Sequence, residues 1–307
     1  MDDYTDKAKN KDQQDPLHNF RERFIPLEPG LIYLDGNSLG RLSLASQQHM
    51  DDLVRREWGE RLIRSWNESW YDKARTLGDE IARIAGASPG EIIVADNTSL
   101  NLYKLAYSAL KYQEHRTGIV SDNLNFPSDL YVLQGLAHQF GPGYRLDLAS
   151  SEDGIHVSMD ALEQLVTEHT ALLSLSHVIF RSAYIYPMEE VTKMAHERGT
   201  MVLWDLSHSI GAVPLKLNEW GVDMAVGCTY KYLNGGPGAP AFLYVRKDLQ
   251  DQLLSPVWGW FGQKEPFRFD LDYEPAQGIS RFLTGTPPIL SLAAIEPAVA
   301  LLVEAGM

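Results

Sequence analysis

The sequence has 307 residues, of which 44% are hydrophobic, a composition typical of a folded protein with one large core or two modest ones. Its formal net charge of −14 comes from 27 Lys and Arg against 41 Asp and Glu, so most of its surface would repel nucleic acid and anionic membranes. The single cysteine, Cys228, excludes an intramolecular disulfide and a multi-cysteine metal site. We expect no nucleic-acid partner, no membrane association and no metal ion.

The chain begins with the polar segment MDDYTDKAKNKDQQDP, which lacks the apolar stretch of a secretory signal. No later segment approaches the roughly 18 apolar residues of a membrane span. These features predict a cytoplasmic protein. We expect residues 1–19 to form a flexible arm, because so polar a segment cannot offset the entropy lost on ordering.

From Glu91 onward, short apolar segments alternate with amphipathic ones. The apolar segments EIIVAD, GIVSD, ALLSLSHVIF, TMVLWD and DMAVGCT predict strands, and SLNLYKLAYSALKY, SDLYVLQGLAHQF and MEEVTKMAHERG predict helices. This alternation indicates an α/β fold with a mostly parallel central sheet and helices on both faces. Because ligands of such sheets bind beyond the carboxyl ends of the strands, we expect the functional residues there.

Polar and aromatic residues follow the first two predicted strands. Thr98 and Ser99 open a helix after EIIVAD, where free N–H groups favour an anion such as phosphate. Phe126 follows GIVSD and could stack on a ring, and Asp129 lies in the first turn of the next helix. Each also has a simpler explanation, since hydroxyl groups cap most helices, an aromatic ring can close the core and the helix dipole stabilises a carboxylate.

A carboxylate follows the buried segment MVLW. Asp205 lies at the end of this predicted strand, and His208 comes one loop step later. A carboxylate at the end of a hydrophobic strand is costly unless it meets a cation or a hydrogen-bond donor. It could equally cap the following turn.

One lysine stands between two tyrosines in GCTYKYLNGGPGAP. Lys231 follows a predicted strand and precedes a glycine-rich loop, so partial desolvation would favour its neutral, nucleophilic amine. A lysine nucleophile implies Schiff-base chemistry. Together with Asp205 for a ring nitrogen, Phe126 for stacking, and Thr98 and Ser99 for a phosphate, it predicts a pyridoxal 5′-phosphate (PLP) site.

The motifs LDGNSLG, DNTS, NFPSDLYV, WDLSHSIGAVP, GCTYKYLNGGPGAPAFLYV, GWFG and GTPP, taken in order, resemble kynureninase, a fold-type I, class V aminotransferase-like PLP enzyme. The resemblance runs from about Phe20 to the end of the chain. It implies PLP-dependent hydrolytic cleavage of L-kynurenine, and of its 3-hydroxy form, in tryptophan degradation.

The resemblance also assigns roles to residues of this chain. Lys231 would carry the cofactor, Asp205 would pair with its ring nitrogen, and Tyr230 would hold the phosphate and relay a proton to the substrate. Asn37 and Ser38 would lie over the substrate. The remaining cofactor-binding residues would be Thr98, Ser99, Phe126, Asp129, Ser176 and His208, joined by Trp260 and Thr286, which would reach the neighbouring subunit's site in a homodimer.

The resemblance further implies a domain division. Residues 1–19 would be the arm, 20–70 an N-terminal segment near the active site, 71–288 the large PLP-binding domain, and 289–307 the start of a helix linking to a small domain that the chain largely lacks. That small domain carries the arginine that binds the substrate carboxylate. Two alternatives stay open: another class V enzyme, such as a transaminase or cysteine desulfurase, and a PLP-binding subunit without turnover.

Overall fold

The computed structural model describes residues 2–307, which contain one seven-stranded mixed sheet. In chain order its strands are β1 (Ile92–Val94), β2 (Gly118–Asp122), β3 (Arg145–Ala149), β4 (Thr170–Ser176), β5 (Met201–Asp205), β6 (Met224–Gly227) and β7 (Phe242–Val245). The strands lie in the order β1-β7-β6-β5-β4-β2-β3. Only β7 is antiparallel to its neighbours β1 and β6, so the predicted mostly parallel sheet is confirmed.

The α-helices accompany this sheet. They are α1 (Asp2–Gln14), α2 (Leu44–Asp52), α3 (Lys73–Ala85), α4 (Thr98–Tyr112), α5 (Pro127–Phe140), α6 (Met159–Leu165), α7 (Met188–Glu197) and α8 (Ile289–Glu304). Helix α4 packs against the central strands, and α3 packs between β1 and α8. Strands β4, β5, β6 and β7 are buried along their whole length, so the core lies at the centre of the sheet.

Strand β3 was not predicted from the sequence. It lies at the edge of the sheet, and its residues are only partly buried up to Ala149. Arg145 and Asp147 form an ion pair along it. An edge strand needs charged side chains to discourage further pairing, and these charges remove the apolar pattern by which a strand is recognised.

The N-terminal segment is helical from Asp2 to Gln14. Helix α1 is rich in Asp, Lys and Gln, and its side chains from Tyr4 onward are exposed. Lys and Gln favour the helical backbone even without core contacts. The flexibility of residues 1–19 and the domain divisions after residues 70 and 288 stay predictions.

A buried lysine joins three parts of the fold. The side chain of Lys104 in α4 is fully buried, and its Nζ donates to Oδ2 of Asp96 at 2.7 Å and to the carbonyl oxygen of Phe282 at 2.7 Å. Thr284 donates to the other oxygen of Asp96. These bonds attach the segment before α8 to the carboxyl end of β1.

The segment before α2 is held against the loop that follows β6. The N–H group of Gly40 donates to the carbonyl oxygen of Tyr230 at 2.8 Å, and the N–H group of Arg41 donates to Oδ1 of Asn234 at 2.9 Å. A Cβ atom on Gly40 would overlap the carbonyl oxygen of Lys231. Only glycine therefore allows this close approach of the two backbones.

No helix among residues 2–307 combines the length and the hydropathy that crossing a bilayer would need. The same residues contain no group of three or more His, Cys, Asp or Glu side chains arranged to hold a metal ion.

Candidate active site

A cavity of about 340 Å³ lies beyond the carboxyl ends of β1, β5 and β6. Strand direction brings these ends to one edge of the sheet, as the sequence predicted. Eight of the predicted site residues line this one cavity: Thr98, Ser99, Phe126, Asp129, Asp205, His208, Tyr230 and Lys231.

Lys231 lines this cavity. Its side chain is buried, and its Nζ lies 2.8 Å from Nε2 of His208. Burial, followed by the positive charge of Lys231, lowers the pKa of His208, which favours a neutral imidazole beside the lysine nitrogen. The same Nζ lies 5.6 Å from the ring centroid of Phe126 and 5.7 Å from that of Tyr230.

Two carboxyl groups, of Asp129 and Asp205, line the cavity close to each other. Asp129, in the first turn of α5, is buried, and its Oδ2 has no hydrogen-bond partner. Burial and then the charge of Asp205 raise the pKa of Asp129 well above its ordinary value, while Lys231 lowers it. Oδ1 of Asp205 accepts from both the N–H group and the hydroxyl of Ser207. Asp205 therefore also caps the next turn, and it does so through Oδ1 alone.

Hydroxyl groups gather where helices α4 and α5 begin. Asn97 caps α4 by accepting from the N–H group of Leu100, which places Thr98 and Ser99 in the first turn. Oγ of Ser99 lies 2.8 Å from Oγ of Ser128 at the start of α5. Two helix N-termini with paired hydroxyls form a site suited to a phosphate group.

Tyr230 and Cys228 line the wall formed by the loop after β6. Burial raises the pKa of Tyr230 to about 12, and the neighbouring Cys228 contributes in the same direction. Burial also raises the pKa of the Cys228 thiol. Both groups therefore stay protonated near neutral pH, and the phenol of Tyr230 is available as a proton donor.

Phe126 stands at the edge of the cavity rather than in the core. Its side chain is 38% exposed, and it meets the ring of Phe180 edge-on with centroids 5.2 Å apart. This exposure favours the stacking interpretation over the core-closing one, because a ring that closes a core would be buried.

The remaining predicted residues lie outside this cavity. Ser176 is buried at the end of β4 and donates to Oδ1 of Asn125 at 2.6 Å. Ser38 lines a neighbouring cavity of about 740 Å³ that shares Asn97 and Tyr230 with the first, whereas the nearby Asn37 is exposed. The two residues expected to reach a second subunit lie elsewhere on the surface: Trp260 and Thr286.

Sequence reasoning missed Ser207 as a site residue. Its side chain is buried, lines the cavity and bonds to Asp205. A serine two residues after a strand-end carboxylate is a recognisable signal of such a turn. Cys228 also lines the cavity, just beyond the end of β6.

The chain is similar in sequence to one protein family and to several proteins within it. Residues 48–307 match the family described as aminotransferase class-V. The chain is 44% identical to the kynureninase of Pseudomonas fluorescens over 290 residues, covering 93% of this chain and 68% of that protein. It is 44% identical over 296 residues to the kynureninase of Burkholderia pseudomallei, covering 95% of this chain and 69% of that protein.

Solved structures share the fold. The apo cysteine desulfurase of Thermococcus onnurineus superposes with a TM-score of 0.80 at 22% identity, covering 92% of this chain and 70% of that one. The cystine C–S lyase C-DES, in complex with its product cysteine persulfide, has a TM-score of 0.76 at 19% identity, with coverages of 89% and 72%. The predicted fold-type I architecture is therefore confirmed.

Proposed function

The chain belongs to the kynureninases of the class-V aminotransferase family, and we propose that it hydrolyses the Cβ–Cγ bond of L-kynurenine to give anthranilate and L-alanine. The 3-hydroxy substrate would give 3-hydroxyanthranilate in the same way. The observation that carries this proposal is the gathering of Lys231, Asp205, Phe126 and the α4 hydroxyls around one cavity.

The residues of the cavity fit pyridoxal 5′-phosphate, the cofactor of this family. The hydroxyls of Thr98, Ser99 and Ser128 would hold its phosphate at two helix N-termini. The buried, unpartnered Oδ2 of Asp129 and the carboxylate of Asp205 offer acceptors for a protonated ring nitrogen. When bound, the cofactor supplies an electron sink for the substrate carbon that loses its proton.

Proton transfer falls to residues that surround the amine. The amine of Lys231 would remove the Cα proton of the substrate, and His208 orients this amine, its Nε2 lying 2.8 Å from Nζ. Asp205 would keep the ring nitrogen protonated. Water would then add to the γ-carbonyl carbon of the substrate. The Cβ–Cγ bond would break, the γ-carbon leaving as the carboxylate of anthranilate and the electron pair staying on Cβ. Protonation of Cβ, and the return of a proton to Cα from Lys231, would complete L-alanine.

Tyr230 is the proton donor that we propose for the substrate carbonyl. Its pKa of about 12 keeps the phenol protonated, and it lines both the cofactor cavity and the neighbouring cavity. Ser38 lines that second cavity, so we propose that the substrate lies there, with Asn37 and Ser38 above it. Ser176 would act on the ring indirectly through Asn125.

A homodimer with shared sites is part of the proposal. An aromatic surface formed by Trp258, Trp260, Phe267 and Phe269 is largely exposed, and Trp260 stacks on Phe269 at 5.9 Å. Exposed aromatic surface of this kind is typical of protein interfaces. With Thr286, Trp260 would reach the partner's site. A cytoplasmic location is supported by the free thiol of Cys228.

Cysteine desulfurase chemistry is less well supported. Such an enzyme needs a mobile, reactive thiol, and the chain has one cysteine. Cys228 is buried, its N–H group is bonded to Ser207, and burial raises the pKa of its thiol. A buried, protonated thiol is a poor nucleophile.

The proposal is tested by loading the purified chain with PLP, recording its absorbance between the near-ultraviolet and the blue, and adding L-kynurenine while anthranilate fluorescence is followed. We expect a visible band and anthranilate release. L-Cysteine with sulfide detection is the control for desulfurase chemistry. A band without release would assign the chain as a PLP-binding subunit without turnover, and no band would reject the assignment of the cavity.

A further inference from the structure

Ser207 forms a hydrogen-bond link between the end of β6 and Asp205. Its N–H group and its hydroxyl donate to the same oxygen of Asp205, Oδ1, at 2.9 Å and 2.6 Å. The N–H group of Cys228 in turn donates to Oγ of Ser207 at 3.1 Å. The hydroxyl therefore accepts from one side and donates to the other.

The sheet places these groups together. Asp205 is paired with Val226 in parallel register, and the N–H group of Leu206 donates to the carbonyl oxygen of Val226. Ser207 and Cys228 follow the ends of β5 and β6, and the N–H group of Cys228 reaches the hydroxyl of Ser207 there. Because Ser207 is buried, water does not compete for its hydroxyl.

The two donors leave the second oxygen of Asp205 for another partner. Because an N–H group already bonds to the lone pairs of the Ser207 oxygen, the hydroxyl hydrogen is directed at Oδ1. This fixes the rotation of the carboxylate, so that Oδ2 receives neither of these donors and is the acceptor available to a ring nitrogen. Asp129 lines the same cavity, with its carboxyl group close to that of Asp205.

We propose that Ser207 is a positioning residue that aims the Asp205 carboxylate at the ring nitrogen of the cofactor through its hydroxyl. This inference rests on the proposed PLP site. Ser207 itself acts only through Asp205, because its hydroxyl is already engaged with Cys228 and Asp205.

The test is a double-mutant cycle on PLP affinity. Equilibrium dialysis would give the PLP dissociation constant of wild type, Ser207→Ala, Asp205→Ala and the double variant. Since a hydrogen bond to a charged group contributes a factor of about ten or more, we expect Ser207→Ala to weaken binding about tenfold. In the Asp205→Ala background we expect no further loss, because the group that Ser207 positions is gone.

Matched variants separate positioning from general packing. Ser209 is equally buried, and its hydroxyl donates to the carbonyl oxygen of Leu206 rather than to Asp205, so Ser209→Ala should leave PLP affinity unchanged. Ser207→Thr keeps the hydroxyl and should restore wild-type affinity. If Ser207→Ala does not fold, Ser207→Cys takes its place in the cycle, since its weaker donor keeps nearly the same shape.

Equal losses in the wild-type and Asp205→Ala backgrounds would overturn the positioning role, and so would a failure of Ser207→Thr to restore affinity. A wild-type chain that binds no PLP would overturn the proposed function together with this inference. A chain that binds PLP but shows no coupling would overturn the inference alone.

Discussion

The amine nitrogen of Lys231 lies 2.8 Å from Nε2 of His208, inside a cavity that two carboxyl groups also line. Since burial and the lysine charge lower the pKa of His208, a neutral imidazole is favoured and adds no positive charge beside the lysine nitrogen. The cofactor-free protein thus holds its candidate nucleophile in a fixed position without using a carboxylate as its partner.

Replacing Lys231 tests its role directly. We expect Lys231→Ala loaded with PLP to lose the visible absorbance band and all covalent labelling on borohydride reduction, because no other amine among residues 2–307 lines the cavity. Lys247→Ala removes an exposed lysine and is the matched control. A reducible band of wild-type intensity in Lys231→Ala would refute the assignment.

Tyr230 should affect turnover more than cofactor binding. Its pKa of about 12 means that the phenol is protonated throughout the pH range of ordinary assays. General acid catalysis contributes about 10²- to 10⁴-fold, so we expect Tyr230→Phe to lower kcat by that order. PLP occupancy, measured by absorbance, should fall much less. If Tyr230→Phe bound less PLP but its PLP-bound fraction kept the wild-type kcat, Tyr230 would act only in cofactor binding.

Asp129 should make the stability of the cofactor-free protein depend on pH. Burial and the charge of Asp205 raise its pKa well above the value of 3.8 expected in the unfolded chain. Between those two values the folded state binds the extra proton, so Asp129 lowers stability as pH rises through this window, by up to about 1.4 kcal/mol per pH unit.

Urea unfolding of wild type and Asp129→Asn across that window measures this contribution. We expect the stability difference between them to grow in favour of Asp129→Asn as pH rises, since the amide cannot ionise. The exposed residue Asp160 offers the control Asp160→Asn, which should run parallel to wild type. If the free energy of unfolding of Asp129→Asn also followed that of wild type at every pH, the pKa of Asp129 would not be raised in the folded protein.

The contact of Gly40 with the lysine loop gives a steric prediction. In Gly40→Ala the new Cβ would overlap the carbonyl oxygen of Lys231 and Oδ1 of Asn234, so one of the two segments must move. We expect a loss of about 1–3 kcal/mol in stability, typical of overpacking, together with a raised KM. Gly143→Ala has nothing within 4 Å of its Cβ and is the control. An unchanged KM in Gly40→Ala would show that the segment before α2 does not contribute to substrate binding.

The sequence predicted the buried parallel strands and the residues at their ends, because apolar segments and the polar residues after them are local signals. It did not predict β3, where edge charges hide the pattern, or the helical form of α1. The sequence did not indicate Ser207 as a site residue, because its hydrogen bond with Cys228 depends on the register of β5 and β6, which brings the two residues together. The distances among Lys231, His208 and the carboxyl groups likewise depend on tertiary packing.

Strand β7 lies between β1 and β6, although it is the last of the seven in the chain. Ile92 therefore pairs with Tyr244, and β1 has no partner in the sheet until β7, which ends at Val245, has been synthesised. On a ribosome adding about 5–20 residues per second, β1 therefore waits about 8–30 s for its partner strand. Such non-local pairing slows folding, so a nascent chain exposes an unpaired β1 edge until β7 is available to pair with it.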